Sequence, residues 1–195
     1  MLRCPAPHEE SFLVMSTGEM LGRMVRSGIL GCPVCHREYP ITQGVVQFSE
    51  PGPRAPPTQA ASARESRPDA QTLQALLDLS GPGGYVVLLG AAATHAAALA
   101  ELMGGIHFVG VNAPAGIVEL PVLSLVAGAP VIPLRSAMAR SVVVGPDASL
   151  VPWLAEARRV LLPGRRLVIE DATVPPPEGV TQLAAGQGLW VGEKR

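Results

Sequence analysis

Residues 84–110 read GYVVLLGAAATHAAALAELMGGIHFVG, and this stretch decides the fold that we predict for the chain. The run rich in valine and leucine before Gly90 is typical of a strand that is buried on both faces. We expect Thr94 to cap a helix that runs from Ala96 to Met103 and ends at two glycines. A second apolar run, His107 to Val111, follows at once. Strand, tight turn, helix and strand form the βαβ unit of dinucleotide-type folds, so the sequence predicts an α/β protein.

The composition argues against several classes of function. The chain has 195 residues, of which 16 % are charged, with a net charge of −1, so broad binding to a phosphate backbone is not expected. The aromatic content of 4 % argues against base-stacking platforms, and we therefore expect no direct binding of nucleic acid. No apolar run reaches the roughly 20 residues of a membrane span, and the N-terminus shows no basic-then-apolar leader. We expect a cytoplasmic protein that does not associate with a membrane.

Two pairs of potential metal ligands lie within the first 35 residues. Cys32 and Cys35 form a Cys-Pro-Val-Cys motif, in which a tight turn places two thiolates on one side. Cys4 and His8 can supply the second pair, and His36 is an alternative fourth ligand. A module of roughly 48 residues buries little core, so we expect a structural zinc ion bound by Cys4, His8, Cys32 and Cys35. The alternative is three free cysteines with a reactive Cys-x₂-Cys pair.

We predict that this N-terminal module is a small zinc-ribbon-like α+β fold with a few short elements. Thr17 to Arg26 carries methionine, leucine and valine at helical spacing, and we predict a short helix that lies over the metal site. Tyr39 to Ile41 and Gly44 to Phe48 indicate a small strand pair.

Residues 28–46, GILGCPVCHREYPITQGVV, resemble the signature L-x-C-P-x-C-x-x-x-Y-P-I-x-x-G-I-P of the small zinc-binding activator of tRNA methyltransferases and its bacterial relatives. Two features depart from that signature: the first ligand pair is Cys-x₃-His instead of Cys-x₂-Cys, and Val46 stands where the family often has proline. In that family the module packs against a methyltransferase and performs no chemistry itself. The resemblance therefore implies a protein partner.

Composition divides the chain into three parts. Residues 1–48 form the zinc-binding module, residues 49–68 a linker rich in proline and alanine, and residues 69–195 a second domain. In the second domain we expect Asp69 to cap a helix that ends at Leu79. Further along the chain we expect strands at Leu120 to Val126 and Ser141 to Val144, and then a helix from Ser149 to Leu162 with Leu150 and Trp153 on its inner side. A strand from Arg166 to Glu170 and a hairpin of Thr181 to Ala184 with Leu189 to Val191 follow.

The second domain resembles the class I S-adenosylmethionine-dependent methyltransferases. Residues 153–169, WLAEARRVLLPGRRLVI, match the pattern L-x-E-x-x-R-V-L-K-P-G-G-x-L-V-I, and Gly90 matches the first glycine of V-L-D-L-G-C-G-T-G. Residues 132–134, IPL, resemble the L-P-F that follows the third strand of the family. The resemblance covers residues 69–195 and implies a reduced Rossmann-like domain with a mostly parallel sheet and a C-terminal hairpin.

The resemblance places a cofactor site at four residues, Gly90, Ala92, Thr94 and Asn112. Ala92 and Thr94 stand where the family has its second and third glycines, and Asn112 stands where an acid binds both ribose hydroxyls. Leu88 replaces an acid of the first strand, and Ala129 an acid near the adenine. Each hydrogen bond to a charged group contributes about 1.5–3 kcal/mol, so losing two weakens S-adenosylmethionine binding by roughly 10²–10⁴-fold.

The connections are also short. Residues 113–119 are the whole link from the second strand to the third, whereas a parallel crossover usually needs a dozen or more residues. The helix of the family is therefore expected to be missing there, and Pro175 to Pro177 replaces another one.

A few polar residues remain as candidates for chemistry or for ordinary structural roles. Asp147 is either a substrate contact or a cap of the following helix, and His95 is either an exposed histidine or a ligand contact. Glu170 and Asp171 are expected in a solvated turn, and the arginines at 158–159 and 165–166 on a solvated face.

Our interpretation is a zinc-binding protein with a degenerate methyltransferase-like domain. It would act as a scaffold or binding subunit, paired with a protein such as an active methyltransferase or with a larger assembly. The first alternative hypothesis is an active S-adenosylmethionine-dependent methyltransferase with an unusual loop. The second is a module that binds another small ligand at Gly90 to Thr94. The sequence leaves open whether the protein is an enzyme.

Overall fold

Thirteen strands and three helices make up the computed structural model of the chain, which describes residues 2–49 and 68–195. The first described part contributes β1 (Val14–Thr17), β2 (Met20–Leu21), β3 (Met24–Val25), β4 (Ser27–Gly31), β5 (Glu38–Thr42) and β6 (Val45–Gln47). The second contributes, in order, α1 (Ala70–Leu77), β7 (Tyr85–Leu89), α2 (Ala96–Leu102), β8 (His107–Val111), β9 (Leu123–Ala127), β10 (Ala139–Val144), α3 (Val151–Val160), β11 (Leu161–Ile169), β12 (Val180–Gly186) and β13 (Leu189–Lys194). Short 3₁₀ helices, Gly90–His95 and Pro146–Ala148, follow β7 and β10. Apart from its two end residues, the predicted linker lies outside the described residues.

Eleven of the described strands form one mixed sheet in the order β1-β4-β5-β6-β9-β8-β7-β10-β11-β13-β12. The five strands β9, β8, β7, β10 and β11 are parallel to one another. In chain order this is 3-2-1-4-5, the order of a doubly wound α/β fold. β13 pairs antiparallel with β11, and β12 pairs antiparallel with β13. The predicted α/β class, the mostly parallel sheet and the C-terminal hairpin are confirmed.

The N-terminal strands extend this same sheet. β6 pairs in parallel with β9, with Val46 opposite Val126, and the backbone N–H of Phe48 donates to the carbonyl of Ala127 at 2.9 Å. β5 and β4 then add antiparallel strands, and β1 lies at the edge. The two described parts of the chain, residues 2–49 and 68–195, thus share backbone hydrogen bonds. The division at residues 1–48, 49–68 and 69–195 stays a prediction.

The sheet is covered differently on its two faces. On one face α1 and α2 pack through Leu73, Leu77 and Leu99 against the central strands. On the other face a single apolar core runs from the N-terminal strands to α3. Because β7 is buried between both layers, its four residues from Val86 to Leu89 are fully inaccessible, which explains the continuous apolar run in the sequence.

Two local predictions are wrong. The segment predicted as a helix, residues 17–26, contains the hairpin β2–β3, in which Met20 lies opposite Val25. Gly22 has a φ of +60° at the turn, and this conformation interrupts any helix. Thr94 does not cap α2, because its hydroxyl donates to the carbonyl of Ala91 at 2.8 Å inside a 3₁₀ helix that precedes α2.

Other local predictions are confirmed. The carboxylate of Asp69 accepts the backbone N–H of Thr72 at 2.7 Å and so caps α1. Residues 112–122, all of them described, contain turns and no helix, as the short β8–β9 link predicts. α3 buries Leu154, Ala157 and Val160, but Leu150, which we expected on the inner side, is 65 % exposed because it precedes the helix.

A membrane-spanning helix would have to be longer and more apolar than any helix found among the described residues.

Candidate functional site

The four predicted zinc ligands come together in space. The ligand atoms of Cys4, His8, Cys32 and Cys35 all lie within 4.8 Å of one another. The sulfurs of Cys4 and Cys35 are 3.7 Å apart, and the sulfur of Cys32 is 3.4 Å from Nε2 of His8. A zinc tetrahedron with bonds of about 2.3 Å to sulfur and about 2.0 Å to nitrogen has S–S edges of about 3.8 Å and S–N edges of about 3.5 Å. The two distances between Cys4 and Cys35 and between Cys32 and His8 therefore match the edges of a tetrahedral zinc site.

The histidine of this group is His8. Its Nδ1 lies 2.6 Å from the carbonyl oxygen of Glu9, which can only accept a hydrogen bond. This contact orients the ring so that Nε2 lies on the side of the thiol group, which is the arrangement found in metal-ligating histidines. The alternative ligand, His36, is exposed and lies outside the group.

Local backbone geometry presents the thiols. Cys32 follows β4 and Cys35 precedes β5, and the turn between them is closed by the N–H of His36, which donates to the carbonyl of Cys32 at 3.0 Å. Burial acts to raise the pKa of the Cys32 thiol, but the backbone N–H groups of Cys35 and Val34 and the neighbouring thiols outweigh it and lower that pKa to about 6. The turn therefore favours the thiolate, which is the form that binds zinc.

The first thiol of the group has a different environment. Cys4 is 3 % exposed, and burial raises the pKa of its thiol. The hydroxyl of Tyr39 on β5 lies 3.3 Å from its sulfur, so an aromatic residue of the quoted signature contacts the ligand group directly.

A second candidate region lies at the carboxyl ends of the parallel strands, where doubly wound folds bind their ligands. The predicted cofactor residues are all at this edge: Gly90, Ala92 and Thr94 are in the 3₁₀ helix after β7, and Asn112 follows β8. The structure thus places these four residues on adjacent strand ends. Contacts within the chain, which the sequence did not indicate, occupy the space beside Gly90 and the side-chain amide of Asn112.

The turn after β7 is filled by Asp147. Its Oδ1 accepts the backbone N–H of Ala91 at 2.8 Å. Gly90 has a φ of +62°, and a Cβ there would lie 2.5 and 2.7 Å from the two carboxylate oxygens of Asp147. A Cβ at Gly145 would lie 2.7 Å from the backbone nitrogen of Ala92. These glycines therefore permit the loop after β10, not a ligand, to approach the turn.

Asn112 is likewise bonded to the chain itself. Its Nδ2 donates to the carbonyl of Ala129 at 2.9 Å, and its Oδ1 accepts the N–H of Ala129 at 3.0 Å. This pair of hydrogen bonds joins the end of β8 to Ala129, which lies two residues after the end of β9. Two positions that the resemblance assigns to separate contacts with the cofactor, Asn112 and Ala129, are partners of each other.

Asp147 is therefore a cap, but not of the helix that follows it in sequence. It caps the 3₁₀ helix after β7, 56 residues earlier in the chain. No sequence pattern indicated this contact, because it depends on how closely β7 and β10 lie in the sheet.

Two residues expected at the surface form a contact in the interior. Nε2 of His95 lies 3.2 Å from Oε1 of Glu170, and the two side chains are 12 % and 4 % exposed. The expectations of an exposed histidine and of a solvated Glu170 are wrong, because the 3₁₀ helix directs His95 towards the end of β11. Asp171 accepts two bonds from Thr173, at 2.6 Å from Oγ1 and 2.9 Å from the backbone N–H, and these lower its pKa.

The arginine and the acid of the methyltransferase-like motif have a structural role. Arg159 donates to the carbonyls of Ile132 and Leu134 and forms an ion pair with Glu156. Glu156 in turn accepts the N–H of Ile132 at 3.0 Å. These contacts fix residues 132–134 against α3, so this part of the predicted solvated basic face is only partly exposed.

Of three comparisons with known proteins, only the one with solved structures gave matches. No family model matches the chain, and no curated protein matches it. Similar solved structures include a geranyl diphosphate methyltransferase in complex with SAM, which is 14 % identical, with a TM-score of 0.49 over 65 % of this chain and 84 % of that chain. A SAM-dependent methyltransferase from Aquifex aeolicus is 13 % identical, with a TM-score of 0.49 over 70 % of this chain and 92 % of that chain.

A third similar structure is the complex between the Haloferax volcanii Trm112 methyltransferase activator and the putative methyltransferase. It is 20 % identical, with a TM-score of 0.40 over 51 % of this chain and 50 % of that chain. The chain thus spans about half the length of that protein. Similarity at these identities concerns the fold and does not establish an activity.

Proposed function

We propose that the protein is a zinc-binding scaffold subunit whose methyltransferase-like domain is inactive. The observation that carries this proposal is the carboxylate of Asp147, which occupies the N–H of Ala91 beside Gly90. In the family that the domain resembles, this turn approaches the methionine part of the cofactor. A cofactor carboxylate at the same N–H would meet a like charge a few ångströms away, and this repulsion opposes binding.

The state of Asn112 supports the same proposal. A ribose hydroxyl at this position would compete with two hydrogen bonds to Ala129, each within 3.0 Å. Breaking them leaves the backbone groups of Ala129, a residue that is 4 % exposed, without those partners. Such a loss costs about 1–3 kcal/mol for each unsatisfied group.

The proposed zinc site is structural. Four protein ligands complete a tetrahedron and leave no position for a substrate. The ion would join the N-terminal segment that carries Cys4 and His8 to the turn between β4 and β5. Zinc binding then stabilises the β4–β5 part of the sheet.

A scaffold role is supported by the way the two parts of the chain are joined. In the activator family the zinc module packs against a separate methyltransferase, whereas here β6 pairs with β9 of the same chain. The module therefore pairs with a methyltransferase-like domain of its own chain. The module still exposes large apolar residues, at 40–64 % of their surface, that are available for contacts with a further protein: Val14, Met20, Leu21, Ile29 and Val34.

Calorimetry with S-adenosylhomocysteine tests the proposal. We expect no heat of binding for the zinc-loaded wild-type protein at ligand concentrations up to the millimolar range. A verified methyltransferase in the same buffer serves as the positive control for the ligand. A micromolar dissociation constant for the wild-type protein would refute the scaffold proposal and favour the active enzyme.

The Asp147→Ala variant tests the reason for the absence of binding. If the carboxylate alone excludes the cofactor, the variant should show measurable heat, because the negative charge beside Gly90 is removed. A thermal-shift screen of nucleotides on the wild-type protein addresses the third hypothesis, in which another small ligand binds at Gly90 to Thr94.

A further inference from the structure

A cavity of about 450 Å³ lies between the β2–β3 hairpin and the sheet, and we call it the hairpin cavity. Its floor is the face of the sheet formed by Val46, Val109 and Ser124, and its roof is Met24 and Val25. The volume lies within the range of roughly 300–1,000 Å³ that is typical of small-molecule sites. Neither the predicted zinc ligands nor Asp147 line the hairpin cavity, so it belongs to neither candidate site described above.

The walls of the hairpin cavity are mostly apolar. They include six further aliphatic or thioether side chains: Leu2, Leu13, Met15, Leu30, Ile41 and Leu134. Side chains of this type offer water few hydrogen-bond partners, whereas an ordered water needs two to four. An apolar group that displaces such poorly held water gains affinity.

The polar groups of the floor are already paired. Nε2 of His107 lies 2.9 Å from Oγ of Ser124, and the ring of Tyr85 contacts the His107 ring edge-to-face. Burial lowers the pKa of His107, which keeps this imidazole neutral. The floor therefore offers no charge to a ligand.

Charge is found only at the mouth of the hairpin cavity, among the described residues that line it. Arg26 is paired with Glu119 of the β8–β9 link, so this pair contributes no net charge. Arg23, at the turn of the β2–β3 hairpin, is exposed and adds one positive charge. The cavity is thus apolar inside and cationic at its mouth.

The roof is held in place from two sides. The backbone N–H of Arg26 donates to the carbonyl of Glu19 at 2.8 Å, and the N–H of Gly44 donates to the carbonyl of Arg26 at 2.9 Å. The ion pair of Arg26 with Glu119 adds a link to the β8–β9 connection. Preformed walls of this kind reduce the ordering cost of binding.

We propose that the hairpin cavity binds an amphipathic carboxylate of the fatty-acid class, with its acyl chain between the roof and floor and its carboxylate at Arg23. The apolar walls favour an acyl chain, and the single positive charge of Arg23 at the mouth favours a head group with one negative charge. We assign the ligand to a free fatty acid, and the experiment distinguishes this source from an anionic lipid surface.

Titration calorimetry of the full-length, zinc-loaded protein with dodecanoate tests the proposal. We expect a dissociation constant in the micromolar range with a stoichiometry of one. Dodecanol and dodecyltrimethylammonium, which keep the chain but change the head, should bind about tenfold more weakly or worse, because they lack the charge that pairs with Arg23. Absence of dodecanoate binding by the folded protein, or equal binding of all three compounds, would overturn the proposal.

Two variants locate the site. Val25→Trp fills the hairpin cavity from its roof and should abolish dodecanoate binding, whereas Val118→Trp, at a residue that is 64 % exposed and outside the lining, should bind as the wild-type protein does. Arg23→Glu should weaken dodecanoate binding about tenfold without changing dodecanol binding. Circular dichroism and zinc content verify that each variant is folded. Undiminished binding by a folded Val25→Trp protein would show that the ligand is elsewhere.

Vesicles identify the source of the ligand. Phosphatidylglycerol vesicles should not retain the protein in sedimentation, because the hairpin cavity encloses a single chain. Retention by these vesicles without binding of free dodecanoate would replace the proposal with a lipid-surface interaction.

Discussion

Predicted site residues converge both in the zinc-ligand group (Cys4, His8, Cys32 and Cys35) and at the carboxyl edge of the parallel strands. The two regions differ in what their polar atoms contact. In the zinc-ligand group the sulfurs of Cys4 and Cys35 are 3.7 Å apart, and Nε2 of His8 lies 3.4 Å from the sulfur of Cys32. At the carboxyl edge the carboxylate of Asp147 and the amide of Asn112 are bonded to the chain's own backbone. Convergence of side chains alone therefore does not make a ligand site. Unused donors or acceptors, with room for the ligand beside them, are needed as well.

The largest expected effect comes from loss of a thiolate. Cys32→Ser removes one of four ligands, and we expect the protein to lose most of its zinc and to be destabilised by about 3 kcal/mol or more, since structural zinc contributes roughly 10–16 kcal/mol to small folds. Metal analysis and urea unfolding measure the two effects.

The matched control is His36→Ala, which changes a histidine next to Cys35 but outside the ligand group. It should retain one zinc per chain. Stoichiometric zinc in a Cys32→Ser protein would contradict the site, and stoichiometric zinc in His8→Ala would remove His8 from the ligand set.

The next effect concerns the filled turn at the carboxyl edge. Gly90→Ala places a Cβ 2.5 Å from Asp147 and also strains a residue with a φ of +62°. We expect a loss of about 2–4 kcal/mol in the free energy of unfolding, measured with urea. Gly164→Ala is the control, because Gly164 has a φ of +68° but, within the described residues, no atom lies within 4 Å of the position that a Cβ would take there.

A double-mutant cycle sharpens this prediction. Asp147→Ala should recover part of the loss when combined with Gly90→Ala, because it removes the carboxylate that the new methyl group meets. Strict additivity of the two changes would show that Asp147 does not fill the turn in solution.

A smaller effect is expected at the end of β8. Asn112→Ala removes both hydrogen bonds to Ala129 and places alanine at a φ of +52°, which asparagine tolerates better. We expect a loss of about 1–3 kcal/mol in the free energy of unfolding. Asn112→Asp, which restores the acid of the resembled family, should not create S-adenosylhomocysteine binding in calorimetry. Binding by that variant would mean that the side chain, and not the filled edge, excludes the cofactor.

The smallest effect is a pH dependence at Asp171. The hydroxyl and the N–H of Thr173 lower the pKa of Asp171 in the folded protein. These hydrogen bonds therefore stabilise the fold fully at pH values above the unfolded pKa of about 3.9. The stabilisation is lost as the pH falls through the lower pKa that Asp171 has in the folded protein. Thr173→Val should therefore cost about 0.5–1 kcal/mol at pH 7 and less below about pH 4. Unfolding curves at several pH values measure the difference.

Thr94→Val serves as the comparison for this measurement. It also deletes a hydroxyl, but one that donates to a carbonyl, so its cost should not depend on pH over the same interval. A pH-independent cost of Thr173→Val would rule out the bond to the ionised Asp171.

Much of the fold was predictable from local patterns. The limits of β8, His107–Val111, and the cap of α1 by Asp69 followed from apolar runs and from capping chemistry, because both depend on neighbours in sequence. The segment 17–26 was mispredicted because the spacing of its apolar residues fits a two-residue hairpin as well as a helix. There the conformation of Gly22 decides.

The sequence by itself determined the four metal-ligand candidates, the βαβ unit and the missing crossover helix, since ligand chemistry, apolar periodicity and loop length are all carried by short stretches. Only the tertiary structure decided that β6 joins the central sheet, that Asp147 fills the turn at Gly90, and that Asn112 bonds to Ala129. These contacts bring together residues 17 to 80 positions apart, and no local pattern encodes which strand ends will lie side by side.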